Sequence, residues 1–259
     1  FLLGALKGDL GNSFIYDEPA LQLILSAMPA TLELAICSLL LALVIGIPLG
    51  MLAGYWPNSL GSKVIMTASI FGFSLPSFWV GLMLILFFSV GLGWLPSGGR
   101  GETVSIGGFP VSFLTWDGLS HLLMPAINLA LFKVSLIIRL TRAGMMETMQ
   151  QDFIKFAKSK GLKNGRIVIV HALRNILIPI ITVLGLEMGS LIAFAVVTET
   201  VFSWPGMGKL IIDSINLLDR PIIVAYLMMT VIMFVVINLI VDLTYSLVDP
   251  RVRYSDMDK

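Results

Sequence analysis

The chain has 259 residues, 57% of them hydrophobic and 13% charged, with a net charge of +1. Its mean hydropathy is +0.93, whereas a soluble domain carries about 25% charged residues. So few ionisable groups cannot cover so apolar a chain, which excludes a cytosolic enzyme, a disordered tail and a nucleic-acid binder. The lone Cys37 excludes an internal disulfide framework. The composition is that of an all-α polytopic membrane protein.

Residues 1–26 form an extracytoplasmic lead segment. None of the apolar runs that follow it resembles a cleaved signal peptide, because no basic head and short apolar core precede a small-residue cleavage site. Because the first residue is Phe1, the sequence is expected to begin inside a longer protein with an earlier span. A hydrocarbon core of about 30 Å needs about 20 apolar residues. Five runs meet that length: Ala27 to Ala53, Val64 to Val90, Leu119 to Leu140, Ile176 to Val197 and Ile222 to Val248. In the first, Gly46, Gly50 and Gly54 recur every four residues, a spacing that lets helices approach closely. Pro48 and Pro76 are expected to interrupt the first two runs. A packed bundle and a hinge within a rocking bundle both fit these residues. The glycine-rich stretch from Gly91 to Gly108 reads as a flexible outer loop.

Lysine and arginine set the direction. With the lead segment outside, the inner ends and loops hold Lys63, then Arg139, Arg142, Lys155, Lys158, Lys160, Lys163, Arg166 and Arg174, then Arg251, Arg253 and Lys259. The outer segments hold Lys7, Arg100, Lys209 and Arg220, and Lys133 lies within the third run. Twelve against four is a positive-inside pattern, which puts the tail, residues 249–259, in the cytoplasm. Trp94, Trp116 and Trp204 fall in outer loops, as interfacial anchors do.

The inner loop at 143–175 is the most densely charged part. From Arg139 to Arg174 there are eight basic residues and two acidic ones, Glu147 and Asp152. Met146, Met149, Phe153, Phe156 and Ala157 recur at helical spacing until Gly161. This pattern predicts an amphipathic helix of about four turns ended by glycine. Such a helix either rests on anionic lipid or docks in the groove of a soluble partner.

This loop resembles that of a known family. Asp152-Phe-Ile-Lys-Phe-Ala-Lys-Ser-Lys-Gly161-Leu162, followed by His171-Ala-Leu-Arg-Asn175, is similar to the cytoplasmic loop of binding-protein-dependent ABC importer permeases of the dipeptide, oligopeptide and nickel branch. The common Glu-Ala-Ala form is not kept. Lys155 and Phe156 fill its first two positions, and Pro179 lies 18 residues after Gly161, farther than usual. Gly8 to Ser13, Met28 to Leu34, Gly93 to Pro96, Phe202 to Gly208 and Asp219 to Pro221 agree in order along nearly the whole chain.

The resemblance implies the transmembrane domain of a type I ABC importer, with five spans here and a sixth upstream. It implies a permease subunit, residues 27–248, in a bacterial inner membrane. Its partners would be a second homologous permease, two ATPase subunits, an extracytoplasmic substrate-binding protein and membrane lipid. The implied cargo is a peptide, or a related solute such as nickel, moved by alternating access. Phe153, Phe156, Ala157, Gly161 and Leu162 would form a coupling helix on an ATPase, so Gly161→Asp is expected to uncouple hydrolysis from uptake. ATP and magnesium would bind that partner.

The chain itself is expected to be no enzyme and to bind no cofactor or metal. Around Gly206, Gly208 and Lys209 a phosphate loop lacks its first glycine, where Ser203 stands, and the Ser or Thr after the lysine. His121, His171 and Cys37 are isolated. Intramembrane polar groups are functional candidates by default. Lys133 and Glu187, midway along the third and fourth runs, either pair across a helix contact or line a translocation pathway, and Asn128 is placed to line the same path. Glu33, Glu199 and Asp242 are expected to be solvated or interhelical. Two other classes remain: a proton-coupled secondary transporter using Glu187, Lys133 and Asp242, and a membrane scaffold whose basic loop holds anionic lipid.

Overall fold

The structure is a computed structural model that describes residues 9–248. Lys7 and the tail with Arg251, Arg253 and Lys259 lie outside the described residues, as does the side chain of Asp242. Its helices are α1 (Ala20–Tyr55), α2 (Leu60–Ser74), α3 (Ser77–Leu84), α4 (Trp116–Thr148), α5 (Asp152–Ser159), α6 (Leu173–Val201), α7 (Met207–Asn216) and α8 (Arg220–Val248). A π-helical stretch, Ile85–Gly91, extends α3. A helical turn, Asn164–Arg166, and a second π-helical stretch, Ile167–Ala172, lead into α6.

The first run became one unbroken helix of 36 residues, about 54 Å long. Pro48 does not interrupt it, because a proline in an apolar helix removes one donor and its neighbours keep the rest of the ladder. Pro76 does break the second run. Leu75, just before it, is extended at φ −81 and ψ 137, since a residue preceding proline is pushed out of the α region. The chain bends there, so α2 and α3 are a broken pair instead of one straight span. Among the described residues four helices are long and apolar enough to cross a membrane, or five if the pair counts as one.

Contacts group the chain into two units. One comprises the chain to Ser38, Pro76–Leu129 and Gly189–Val236. Its buried side chains include Ile24, Leu34, Met124, Phe202, Trp204 and Ile222. The far end of the glycine-rich stretch forms an antiparallel hairpin, β1 (Val104–Ile106) with β2 (Phe109–Val111), in the register Val104↔Val111 and Ile106↔Phe109, while residues 92–103 carry no strand or helix. Its two turn residues, Gly107 and Gly108, have φ of 58 and 89, the left-handed pair that a two-residue hairpin turn requires.

The other unit comprises Leu39–Leu75, Ala130–Met188 and the chain from Ile237. Its core is built from Ala42, Ala130, Ile137, Met145, Ala172, Ile176, Ile180 and Leu184. Gly50 of α1 lies so close to α4 that a Cβ there would sit 2.5 Å from Thr141 Cβ. Gly46 and Gly54 face Ile137 and Met145 in the same way, at 2.7 and 2.6 Å. The glycine spacing is therefore a packing seam within the chain.

Candidate functional site

The amphipathic segment is shorter than its periodicity predicts. Met145 to Thr148 close α4, a turn follows at 149–151, and α5 is only eight residues long. Asp152 occupies its first turn and Lys158 its last, both matching the helix dipole. Ile154 and Ala157 are buried against Ile167, with Met149 and Leu162 beside them. Phe153 and Phe156 remain 39% and 60% exposed, and Lys160 Nζ lies 4.5 Å over the Phe156 ring.

The end of α5 is a Schellman motif. Leu162 N–H donates to the Ala157 carbonyl at 3.3 Å, and Gly161 N–H to that of Lys158 at 2.9 Å. Gly161 has φ +76, the left-handed geometry this motif needs. Of the five coupling candidates, Ala157, Gly161 and Leu162 thus fix the helix in place, and Phe153 and Phe156 present it outward. Ile154 and Ile167, which do the anchoring, were missed, although Ile154 lies three residues before Ala157 on the same face.

Within that unit Lys133 and Glu187 form an ion pair, with Lys133 buried and Glu187 partly exposed. Asn128 belongs to the first unit, where its amide donates to Thr198 Oγ1 at 3.0 Å and the residue is wholly buried.

The first unit buries Trp204, Glu33 and Glu199. Trp204 is not an interfacial anchor: it is fully enclosed, and its indole N–H donates to the Ala30 carbonyl at 2.9 Å. Trp94 and Trp116 are exposed. Glu33 is buried and satisfied on both oxygens. Arg100 reaches Oε2 at 2.6 Å, while Ser112 and Phe113 donate to Oε1. Arg100 also donates to the Pro110 carbonyl at 2.6 Å, which ties the hairpin to α1.

Glu199 lies past the apolar run that ends at Val197 and is fully enclosed. Its Oε2 accepts from Gly208 N–H at 2.7 Å and Lys209 N–H at 3.1 Å, while Thr31 Oγ1 accepts from Met207 N–H at 2.8 Å. The first three amides of α7, which have no partner inside a helix, are capped from elsewhere in the chain. Of the two expected settings, solvated or interhelical, neither carboxylate is solvated: Glu33 is met by donors from the segment after the hairpin, and Oε2 of Glu199 by the first amides of the next helix.

Burial pushes the Glu199 carboxyl up from an ordinary 4.5 to about 7, against the opposing pull of Thr31 and the two amides. Between those values the folded chain holds a proton that the unfolded chain has released, so stability falls as pH rises through that window. Glu199→Gln should abolish this dependence, worth on the order of 3 kcal/mol. Melting temperatures of both proteins at pH 5 and pH 8 measure it, and an equal slope in the variant would refute it.

Among the described residues there is no group of three or more His, Cys, Asp or Glu able to hold a metal ion.

Comparisons place the chain. Residues 46–254 match the family described as binding-protein-dependent transport system inner membrane component. The chain is 40% identical over 262 residues to the di/tripeptide transport system permease protein DppB of Pseudomonas aeruginosa (strain UCBPP-PA14), covering 96% of this chain and 77% of that one. It is 41% identical over 250 residues to the oligopeptide transport system permease protein AppB of Bacillus subtilis (strain 168), covering 96% and 77%. Among solved structures, the inward-facing MetNI methionine ABC transporter superposes with a TM-score of 0.69 over 88% of this chain and 97% of that one. At 16% identity that likeness concerns the fold alone, and the fold is the type I importer transmembrane domain that the sequence implies. The chain belongs to the family of binding-protein-dependent transport system inner membrane components.

Proposed function

We propose that the chain is the permease subunit of an ATP-driven importer that carries peptides across a bacterial inner membrane by alternating access. In this reading its carboxyl terminus is cytoplasmic. A second homologous permease completes the pathway, two separate ATPase subunits bind ATP and magnesium, and an extracytoplasmic binding protein delivers the substrate. The names of the relatives, peptide permeases at 40% and 41% identity, support the cargo class.

One observation carries the coupling role. A two-turn helix shows two phenylalanines to the outside while its other face is bolted to Ile167, the first residue of the π-helical stretch that runs into α6. Phe153 and Phe156 dock in an ATPase groove. Ile154, Ala157 and Leu162 make the contact stiff, so that displacement of α5 is passed to α6. A switch of this kind needs packed elements with two discrete arrangements.

Purifying the full-length chain from its native membrane in mild detergent tests the reading. A co-purifying ATPase and ATP-dependent dipeptide uptake in proteoliposomes are expected. Uptake driven by a proton gradient without an ATPase would overturn it in favour of a secondary transporter.

The pair Lys133 and Glu187 is assigned to the pathway wall of this importer. Lys133→Leu alone or Glu187→Leu alone should lower the melting temperature, because each removes one half of the ion pair. The expected cost is about 2 kcal/mol, less than for a fully buried pair because Glu187 keeps some exposure. The double variant should recover most of that stability and still transport poorly. Wild-type uptake by the folded double variant would remove the pair from the pathway.

A further inference from the structure

Transport leaves one surface of the second unit without a role. The end of α1 and the lead-in to α6 line an open, mostly apolar groove of about 760 Å³. Met51, Leu52, Val168 and Ile169 form much of its wall, and Leu52 and Ile169 are exposed. It also includes Tyr55 and Trp56, whose rings meet edge to face at 4.7 Å, and the helix-starting pair Asn164 and Gly165. Aromatic side chains of this kind mark the level of lipid headgroups.

The stretches that build the groove carry charge of one sign. Its walls come from two stretches, residues 34–101 and 153–186, that contain no Asp or Glu. Lys163 and Arg166, both exposed, flank Asn164 and Gly165 in the chain. A Cβ at Gly165 would meet nothing within 4 Å, so the backbone there is open to a ligand.

We propose that this groove binds an anionic phospholipid of the inner leaflet. An acyl chain lies along Met51, Leu52, Val168 and Ile169, and the phosphate sits by Lys163, Gly165 and Arg166. Basic pockets between spans on the cytoplasmic side are a known form of headgroup recognition, and a zwitterionic headgroup would bring its own cation toward lysine and arginine. The proposal rests on the orientation given under Proposed function, though not on what is transported or how transport is driven.

The test reads bound lipid and not transport, so it is unaffected if the importer reading fails. The full-length chain is taken from bilayers of equal phosphatidylglycerol and phosphatidylethanolamine, stripped of bulk lipid, and its retained lipids are identified by native mass spectrometry. Phosphatidylglycerol should be retained preferentially. Lys163→Gln with Arg166→Gln, two exposed positions, should reduce its retention about tenfold. Ile169→Asn should reduce retention of both lipids. Equal retention of the two lipids by the wild type, a preference unchanged by Lys163→Gln with Arg166→Gln, or retention unchanged by Ile169→Asn would overturn the proposal. So would efficient cross-linking of Ile169→Cys, in a Cys37→Ser background, to another polypeptide in native membranes, because a protein would then fill the groove.

Discussion

Replacing Phe156 with aspartate should abolish ATP-dependent uptake while the spans stay folded. The side chain is 60% exposed and α5 is anchored through other residues, Ile154 and Ala157. An exposed substitution of this kind changes stability by no more than about 0.5 kcal/mol. An aromatic knob in a desolvated partner pocket is worth about 2 kcal/mol or more to binding, and a carboxylate in its place adds a desolvation cost. Gly161→Asp should give a related result by another route. A Cβ at Gly161 meets nothing within 4 Å, and aspartate tolerates left-handed geometry better than most residues. The helix end therefore persists, carrying a negative charge beside the contact. Uptake and ATP hydrolysis measured on the assembled complex check both variants. Normal uptake by Phe156→Asp would take α5 out of the coupling contact.

Gly50→Leu should have the largest effect on stability. A Cβ at this position would stand 2.5 Å from Thr141 Cβ and 2.8 Å from the Ile138 carbonyl oxygen. A backbone oxygen cannot rotate away, so α1 and α4 must move apart along the seam. Overpacking alone costs about 1–3 kcal/mol, and the contacts of Gly46 and Gly54 with α4 would be weakened as well. Folded yield and melting temperature in detergent should drop sharply. Gly165→Ala, at a helical glycine with open space around it, should leave both close to wild type. A normal melting temperature for Gly50→Leu would show that the seam opens at little cost.

The long helices were legible in the sequence because a membrane solvent demands long apolar runs, and α1, α4 and α8 have them. The end of α5 was legible through Gly161, whose left-handed turn is a local requirement. What was misread depended on partners in other elements of the fold. Trp204 looked interfacial by position, yet its N–H meets a carbonyl 174 residues away. Glu33 and Glu199, near the outer ends, left solvation and interhelical contact both open; the structure encloses them, with donors from residues 112–113 on Glu33 and from α7 on Oε2 of Glu199. Two prolines of like appearance behaved oppositely: Pro48 is absorbed by α1, and Pro76 breaks α2 from α3. The length of α5 was overestimated because Met146 and Met149 continue its periodicity across a turn that apolar spacing does not register.

The π-helical stretch Ile167–Ala172 has a consequence for how the chain tolerates changes in length. A π-turn is an α-helix holding a surplus residue. Deleting one residue there converts the stretch to ordinary α-helix and leaves the faces on either side aligned. The same deletion within Leu173–Val201 rotates everything beyond it by about 100° and turns its packed face away from its neighbours. Insertions and deletions between the anchored α5 and its span should therefore accumulate at this point, which can lengthen or shorten without disturbing the parts it joins.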